Sequence, residues 1–279
     1  MSFRTYYEVT GDDRSGLAEQ VAAQRRRVQE RLRAIARVVA VVSGKGGVGK
    51  SYVTAGIAVS AAHRLPGGVG VVDADLKSPT VARMLDAAGP LPIDADGVRA
   101  APGRDGVKVV SMDLLLDEGA PLRWSAPGRE RFLWRGLLET GALREFLGDV
   151  AWGPLALLLV DMPSDIDRLD DLAELVPTLA GAMIVTIPSE ESRRSVERAM
   201  RGATEAGVRL LGVVENMSGY ACAECGSTGR LFDGCAGNAL AQQFGVPLLG
   251  RIPWLPPGAH AAHRAALGAV TDSLLGVLP

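Results

Sequence analysis

A five-residue apolar run, Val38-Val39-Ala40-Val41-Val42, passes directly into Ser43-Gly-Lys-Gly-Gly-Val-Gly-Lys-Ser51 and then into a helix-forming stretch from Val53 to Ala62. No other feature of the chain narrows its fold as much. A short run rich in β-branched residues reads as a strand covered on both faces. Gly44, Gly46, Gly47 and Gly49 free the backbone to turn tightly before the helix starts. Similar apolar runs recur at Val69 to Val72, Val107 to Val110, Leu155 to Val160, Ala182 to Ile187 and Leu210 to Val214. Most are separated by enough chain for a helix. The alternation predicts an α/β fold, with a mostly parallel central sheet flanked by helices on both faces.

Composition agrees with this. Hydrophobic residues make up 47% of the 279, yet aromatics only 5%, so the core is expected to be built from Val, Leu, Ile and Ala. A net charge of −2 argues against a nucleic-acid partner. No stretch has the length and apolarity of a membrane span, and the tail from Ala265 to Pro279 has no Lys or Arg with which to grip a membrane surface. Met1 to Glu8 lacks the apolar run of a signal peptide, so a cytoplasmic location is expected. Three cysteines, an odd number, argue against a disulfide framework and direct attention to metal chemistry. Leu17, Val21, Val28, Leu32 and Ile35 share one face of a helix expected over residues 12–37. Its arginines read as a solvated basic face. Residues 1–37 are thus expected to form a basic amphipathic extension, and residues 38–279 a single domain. Residues 112–135 read as irregular.

The stretch from Gly44 to Ser51 fits the phosphate-loop pattern G-x-x-x-x-G-K-S, and the P-loop NTPase architecture follows from it. Backbone N–H groups of Gly44, Lys45, Gly46, Gly47, Val48, Gly49, Lys50, Ser51 and Tyr52 can turn toward ATP phosphates, aided by the positive end of the helix. Lys50 is expected to reach the β- and γ-phosphates, and the Ser51 hydroxyl to bind Mg²⁺. Lys45 is a second lysine that a generic loop does not need. Two further strands end in acid, at Asp73-Ala-Asp75 and at Asp161. Ligands of open α/β sheets gather at such strand ends, so these carboxylates are expected around Mg²⁺ and the γ-phosphate. Cys222-Ala-Glu-Cys225 can hold one edge of a metal site. One pair of thiolates cannot fill a four-thiolate site, but a symmetric homodimer supplies the second pair. An iron–sulfur cluster and Zn²⁺ both satisfy that count.

The segment G-K-G-G-V-G-K-S resembles the deviant Walker A loop of the MinD/ParA and nitrogenase iron-protein class. That resemblance implies an ATP-bridged homodimer in which Lys45 reaches the partner's nucleotide. Further segments resemble the iron–sulfur cluster carrier ATPases of the Mrp/ApbC type. Asp73-Ala-Asp-Leu-Lys-Ser-Pro-Thr80 is similar to their D-A-D-x-x-x-P-S, Trp134-Arg-Gly136 to W-R-G-P, and Asp149-Val-Ala-Trp-Gly153 to D-V-x-W-G. Glu215-Asn-Met-Ser-Gly-Tyr-Ala-Cys-Ala-Glu-Cys-Gly226 is similar to E-N-M-S-x-x-x-C-x-x-C-G. The resemblance spans roughly residues 38–256. It implies a [4Fe-4S] cluster on Cys222 and Cys225, delivered to recipient apo iron–sulfur proteins. It also implies that Asp75 activates the attacking water, with Asp73 and Asp161 supporting Mg²⁺. Asn216 would read the adenine edge, with Pro253 packed against the base.

The chain departs from that pattern in four places. Where the family continues D-x-P-P-G-T-G-D, this chain reads Asp161-Met-Pro-Ser-Asp-Ile-Asp167, so Asp165 replaces a glycine. Tyr52 stands in place of Thr, Lys77 adds a charge after Asp75, and Cys235 replaces a glycine. ATP hydrolysis is expected, but slowly. Cys235 reads as a small loop residue, and His63, His260 and His263 show no spacing to a partner.

Overall fold

The computed structural model describes residues 17–116, 131–164, 167–222, 225, 227–255 and 258–279. In chain order the elements are α1 (Leu17–Leu32), β1 (Val38–Val42), α2 (Lys50–Ala62), β2 (Val69–Asp73), α3 (Val81–Met84), β3 (Ile93–Asp94), β4 (Gly97–Val98), β5 (Ala101–Pro102) and β6 (Lys108–Val110). They continue with α4 (Arg131–Gly148), β7 (Leu157–Asp161), α5 (Asp167–Leu175), β8 (Leu179–Thr186), α6 (Glu190–Glu205), β9 (Leu210–Ala221), β10 (Thr228–Gly229), α7 (Ala236–Phe244), β11 (Leu248–Trp254) and α8 (His260–Val277).

Nine strands form one sheet in the order β10-β9-β8-β1-β7-β2-β6-β5, with β11 also paired to β9. All its pairings are parallel except those of β5 and β10. β3 and β4 make a separate hairpin. Every residue of β1, β2 and β7 is buried, which requires cover on both faces and explains their unbroken apolar sequence. α2 packs on β2 and α8, α8 on β11, and α6 on β8. The expected architecture is the observed one.

The register decides what the sheet presents. Asp73 of β2 pairs directly with Asp161 of β7. Two carboxylates thus stand side by side at the edge where β1 runs into its glycine loop. β9 is much longer than the expected run over 210–214. It continues to Ala221 because its far end pairs with β10 as a hairpin.

The described part of the N-terminal helix packs on the domain, and the helix stops before the expected end at residue 37. It ends at Leu32, and Ile35 instead bridges to Leu155 so that the chain enters β1 extended. Val28 and Leu32 are buried in the main core. Arg25 pairs with Glu174 at 2.7 Å and Arg27 with Asp149 at 2.9 Å, while Arg31 donates to the Asp96 carbonyl. Such exposed pairs are individually weak, under about 1 kcal/mol. They nonetheless use three arginines within the fold. The segment expected to be irregular, 112–135, lies largely outside the described residues, and 131–135 belong to α4.

Candidate nucleotide and thiol sites

The loop between β1 and α2 takes its shape from glycine at two kinds of position. Gly47 and Gly49 both hold φ of +80°, a left-handed conformation that side chains rarely adopt. Gly44 is required for a different reason: a Cβ there would collide with the Ser195 carbonyl on α6. The loop is therefore seated on α6 while its other side borders a cleft of about 280 Å³. Lys45, Ser51, Tyr52, Asp75, Thr80 and Ser164 are among the residues lining that cleft. Lys45 stands exposed on the loop.

Lys50, the first residue of α2, is buried, and its Nζ lies 2.8 Å from Asp161 Oδ2. The contact is an ion pair rather than a directed hydrogen bond, for no acceptor among the described residues meets hydrogen-bond geometry at Nζ. A buried ammonium with unmet donors is an anion receptor in waiting. Asp161, fully buried, accepts Ser51 Oγ at 2.6 Å on Oδ2 and Thr54 Oγ1 at 2.6 Å on Oδ1. The structure thus brings Lys50, Ser51 and Asp161 to one point. Thr54 joins them without having been foreseen. Its signal was its position one helical turn after Lys50.

Asp73 is placed differently from Asp75. Asp75 is half-buried and lines the cleft, its Oδ1 accepting Ser78 N–H at 3.3 Å. Asp73 lies behind, accepting the N–H groups of Asp75, Thr80 and Val81 and the Ser111 hydroxyl at 2.9–3.2 Å. It anchors the 75–81 segment. Burial, reinforced by the neighbouring charge of Asp161, pushes its carboxyl up to about 7, against the lowering pull of those backbone N–H groups and Lys50. The folded state therefore holds this proton at pH values where the unfolded chain, with an ordinary pKa of 3.8, has released it. Its contribution to stability is full below that value and is lost as pH rises through about 7. In protein free of metal and nucleotide, raising pH from about 5 to 8 should lower the unfolding free energy of wild type by at least about 1 kcal/mol relative to Asp73→Asn. Denaturant titrations of both proteins check this, and a pH-independent difference would contradict it.

Asn216 reaches the loop from β9. Its Nδ2 donates to the Val48 carbonyl at 2.9 Å, and a Cβ on Gly49 would collide with the same amide. The next residue, Met217, holds φ of +51°, a strained conformation worth about 1 kcal/mol or more for a non-glycine residue. Ile252, beside Pro253 on β11, is in register with Asn216, so the sheet does bring these residues together. Yet the amide nitrogen expected to face adenine is engaged with the loop itself.

Tyr52 and His263 were not foreseen as a pair. The Tyr52 hydroxyl lies 2.6 Å from His263 Nδ1, with the rings edge to face. Burial raises the Tyr52 pKa. His63 lies 3.5 Å from Asp105. Sequence spacing pointed to no partner for either histidine, and the fold supplies one for each. Sequence spacing could not reveal a contact between residues 211 apart.

Cys222 and Cys225 fall at the turn of the β9–β10 hairpin. Cys222 N–H donates to the Ser227 carbonyl at 2.9 Å, closing the turn. Cys222 is half-buried and Cys225 exposed, with Cys225 Sγ 2.9 Å from Ser227 Oγ. The Ser227 hydroxyl, then its backbone N–H and the Cys222 thiol, hold the Cys225 thiol below its ordinary value. That favours the thiolate, the metal-binding form. Cys235 is exposed just before α7. Among the described residues no three His, Cys, Asp or Glu side chains converge, so Cys235 does not complete this pair into a larger set. Asp165 lies outside the described residues. Among those described, no helix is long and apolar enough to cross a membrane.

The chain is similar to several known proteins. An iron–sulfur cluster carrier protein of Saccharolobus solfataricus is 40% identical over 248 residues, covering 87% of this chain and 79% of its own. The cytosolic Fe-S cluster assembly factor CFD1 of Chaetomium globosum is 38% identical over 238 residues, covering 78% and 74%. The nucleotide-binding protein of Archaeoglobus fulgidus, solved in complex with ADP and with Co, is similar at a TM-score of 0.69 and 31% identity, over 91% of this chain and 97% of that one. The cell division ATPase MinD of Pyrococcus furiosus, at a TM-score of 0.54 and 19% identity over 86% and 99%, shares the fold. A model of the NUBPL iron-transfer P-loop NTPases matches residues 34–270. Because that match starts before β1 and ends within α8, so spanning the loop, both strand-end carboxylates and the cysteine turn, this chain belongs to the NUBPL iron-transfer P-loop NTPases.

Proposed function

We propose that this chain is a slow ATPase that carries an iron–sulfur cluster between two copies of itself and delivers it to apo iron–sulfur proteins in the cytoplasm. The observation that carries this reading is β9. One strand braces the phosphate loop through Asn216 and ends at Ala221, next to Cys222, six residues from Asn216. A change in the loop has a direct backbone route to the cysteine turn.

Mg·ATP fits the residues present. Lys50 brings a buried cation with unmet donors, and the glycine loop brings backbone N–H groups at a helix start. Ser51 and Asp161 would hold Mg²⁺ directly or through water, with Asp73 behind them as support. The ion supplies charge neutralisation for the phosphates. Lys50 balances the β- and γ-phosphates, and Lys45 reaches the partner's nucleotide from its exposed position. Asp75 orients the attacking water. Asn216 and Pro253 border the base. The cargo, a [4Fe-4S] cluster, is held by Cys222 and Cys225 of each chain, four thiolates in all.

Anaerobic purification and reconstitution, with iron, sulfide and zinc quantified per chain, tests the cargo. About two irons and two sulfides per chain are expected for one shared cluster. Zinc without sulfide would replace the cluster by a structural metal. Phosphate release tests the ATPase half. Asp75→Asn is expected to lower it by roughly tenfold or more while ATP still binds. Equal turnover in the two proteins would favour a nucleotide-switched adaptor.

A further inference from the structure

Two cations from different segments, Lys77 and Arg168, converge on a single carboxylate. Lys77 follows Asp75 in the loop after β2. Arg168 lies in the first turn of α5, after β7. Between them, in the middle of α4, stands Glu139, with only 10% of its side chain exposed. Its Oε1 lies 3.3 Å from Lys77 Nζ, and its Oε2 accepts Arg168 Nη2 at 2.6 Å. Arg168 is further fixed through Nη1 to Asp171 at 3.1 Å and to Thr140 Oγ1 at 2.8 Å. Asp75, Met162 and Pro163 border the same small cavity of about 30 Å³, room for a single water.

We propose that Glu139 is a positioning residue that locks the loop after β2 to the start of α5, and so sets the position of Asp75. This rests on the reading that Asp75 serves ATP hydrolysis in the adjacent cleft. The physical case is geometric. Arg168 is only 17% exposed and Glu139 10%, so their pair is poorly screened and rigid. Lys77 is 57% exposed and would wander freely without a partner. Tying it to an anchored carboxylate restrains the backbone two residues from Asp75. The segment after β2 and the start of α5 then move together or not at all. A staple between α4 and α5 alone would need Arg168 and Glu139 but not Lys77.

The test uses wild type, Glu139→Gln, Lys77→Met and the double variant, all full-length. In nucleotide-free protein, hydrogen exchange in residues 74–80 is expected to rise in both single variants. The kcat for ATP hydrolysis should fall by roughly tenfold in each, with KM changed less than about twofold, and the double variant should be no worse than either single. Lys77→Met should fold normally because its side chain is largely exposed, so it decides the matter even where Glu139→Gln loses its thermal transition. Unchanged exchange over 74–80 in Lys77→Met, or additive losses in the double variant, overturns the proposal. If wild type does not hydrolyse ATP, the ATPase reading fails on its own. The exchange measurement, made without nucleotide, still decides whether the lock exists.

Discussion

Lys50→Ala is expected to weaken ATP binding by about two to three orders of magnitude. Truncating one member of a buried charge pair costs about 2–5 kcal/mol, and each 1.4 kcal/mol is tenfold in affinity. Lys50 has both properties that make such a loss large: it is buried, and its Nζ has donors that nothing among the described residues satisfies. On the proposed reading, the phosphates complete its coordination. Among the described residues, removing it also leaves Asp161, fully buried, with only the Ser51 and Thr54 hydroxyls. An anionic ligand would then meet an uncompensated carboxylate. The nucleotide-free protein should itself lose about 3 kcal/mol of stability, for the same carboxylate has lost its only described cation. Titration calorimetry with Mg·ATP and denaturant unfolding measure the two effects separately. Affinity within about threefold of wild type would contradict this account of the loop.

The second large effect is all or none. If the cluster bridges two chains, replacing Cys222 or Cys225 removes two of four thiolates at once, because each substitution appears in both copies. Either Cys222→Ala or Cys225→Ala should therefore abolish bound iron and sulfide, with a loss of at least about tenfold after anaerobic reconstitution. Cys235→Ala is the control. Its thiol is exposed before α7, outside the hairpin turn, and cluster content should not change. The lowered pKa of the Cys225 thiol adds a pH signature. The thiolate fraction falls as pH falls, so cluster loading should weaken toward acid pH. Iron and sulfide at wild-type levels in both single variants would end the bridging reading.

Much of the site was legible because it is local in sequence. The β-branched run, the glycines and the lysine at a helix start form one contiguous stretch, and its backbone geometry follows from residue type. The two acidic strand ends and the cysteine pair were readable for the same reason. The structure adds the register that sets Asp73 beside Asp161. It also separates their roles. Both carboxylates look alike in sequence, but one lies against Lys50 and the other ties down the segment carrying Asp75.

What the chain order could not show are contacts between distant segments. Asn216 meets Val48 across 168 residues, and Tyr52 meets His263 across 211. Glu139 joins residues 77 and 168 from a helix with no motif at that position. The strand–loop–helix unit and the thiol spacing were determined by sequence alone, because the needed φ values and ligand distances lie within a few residues. Which polar groups pair with which was decided only by tertiary structure. A buried charge takes its partner from whatever element the packing brings near, and one sheet register or helix rotation away the partner would be different.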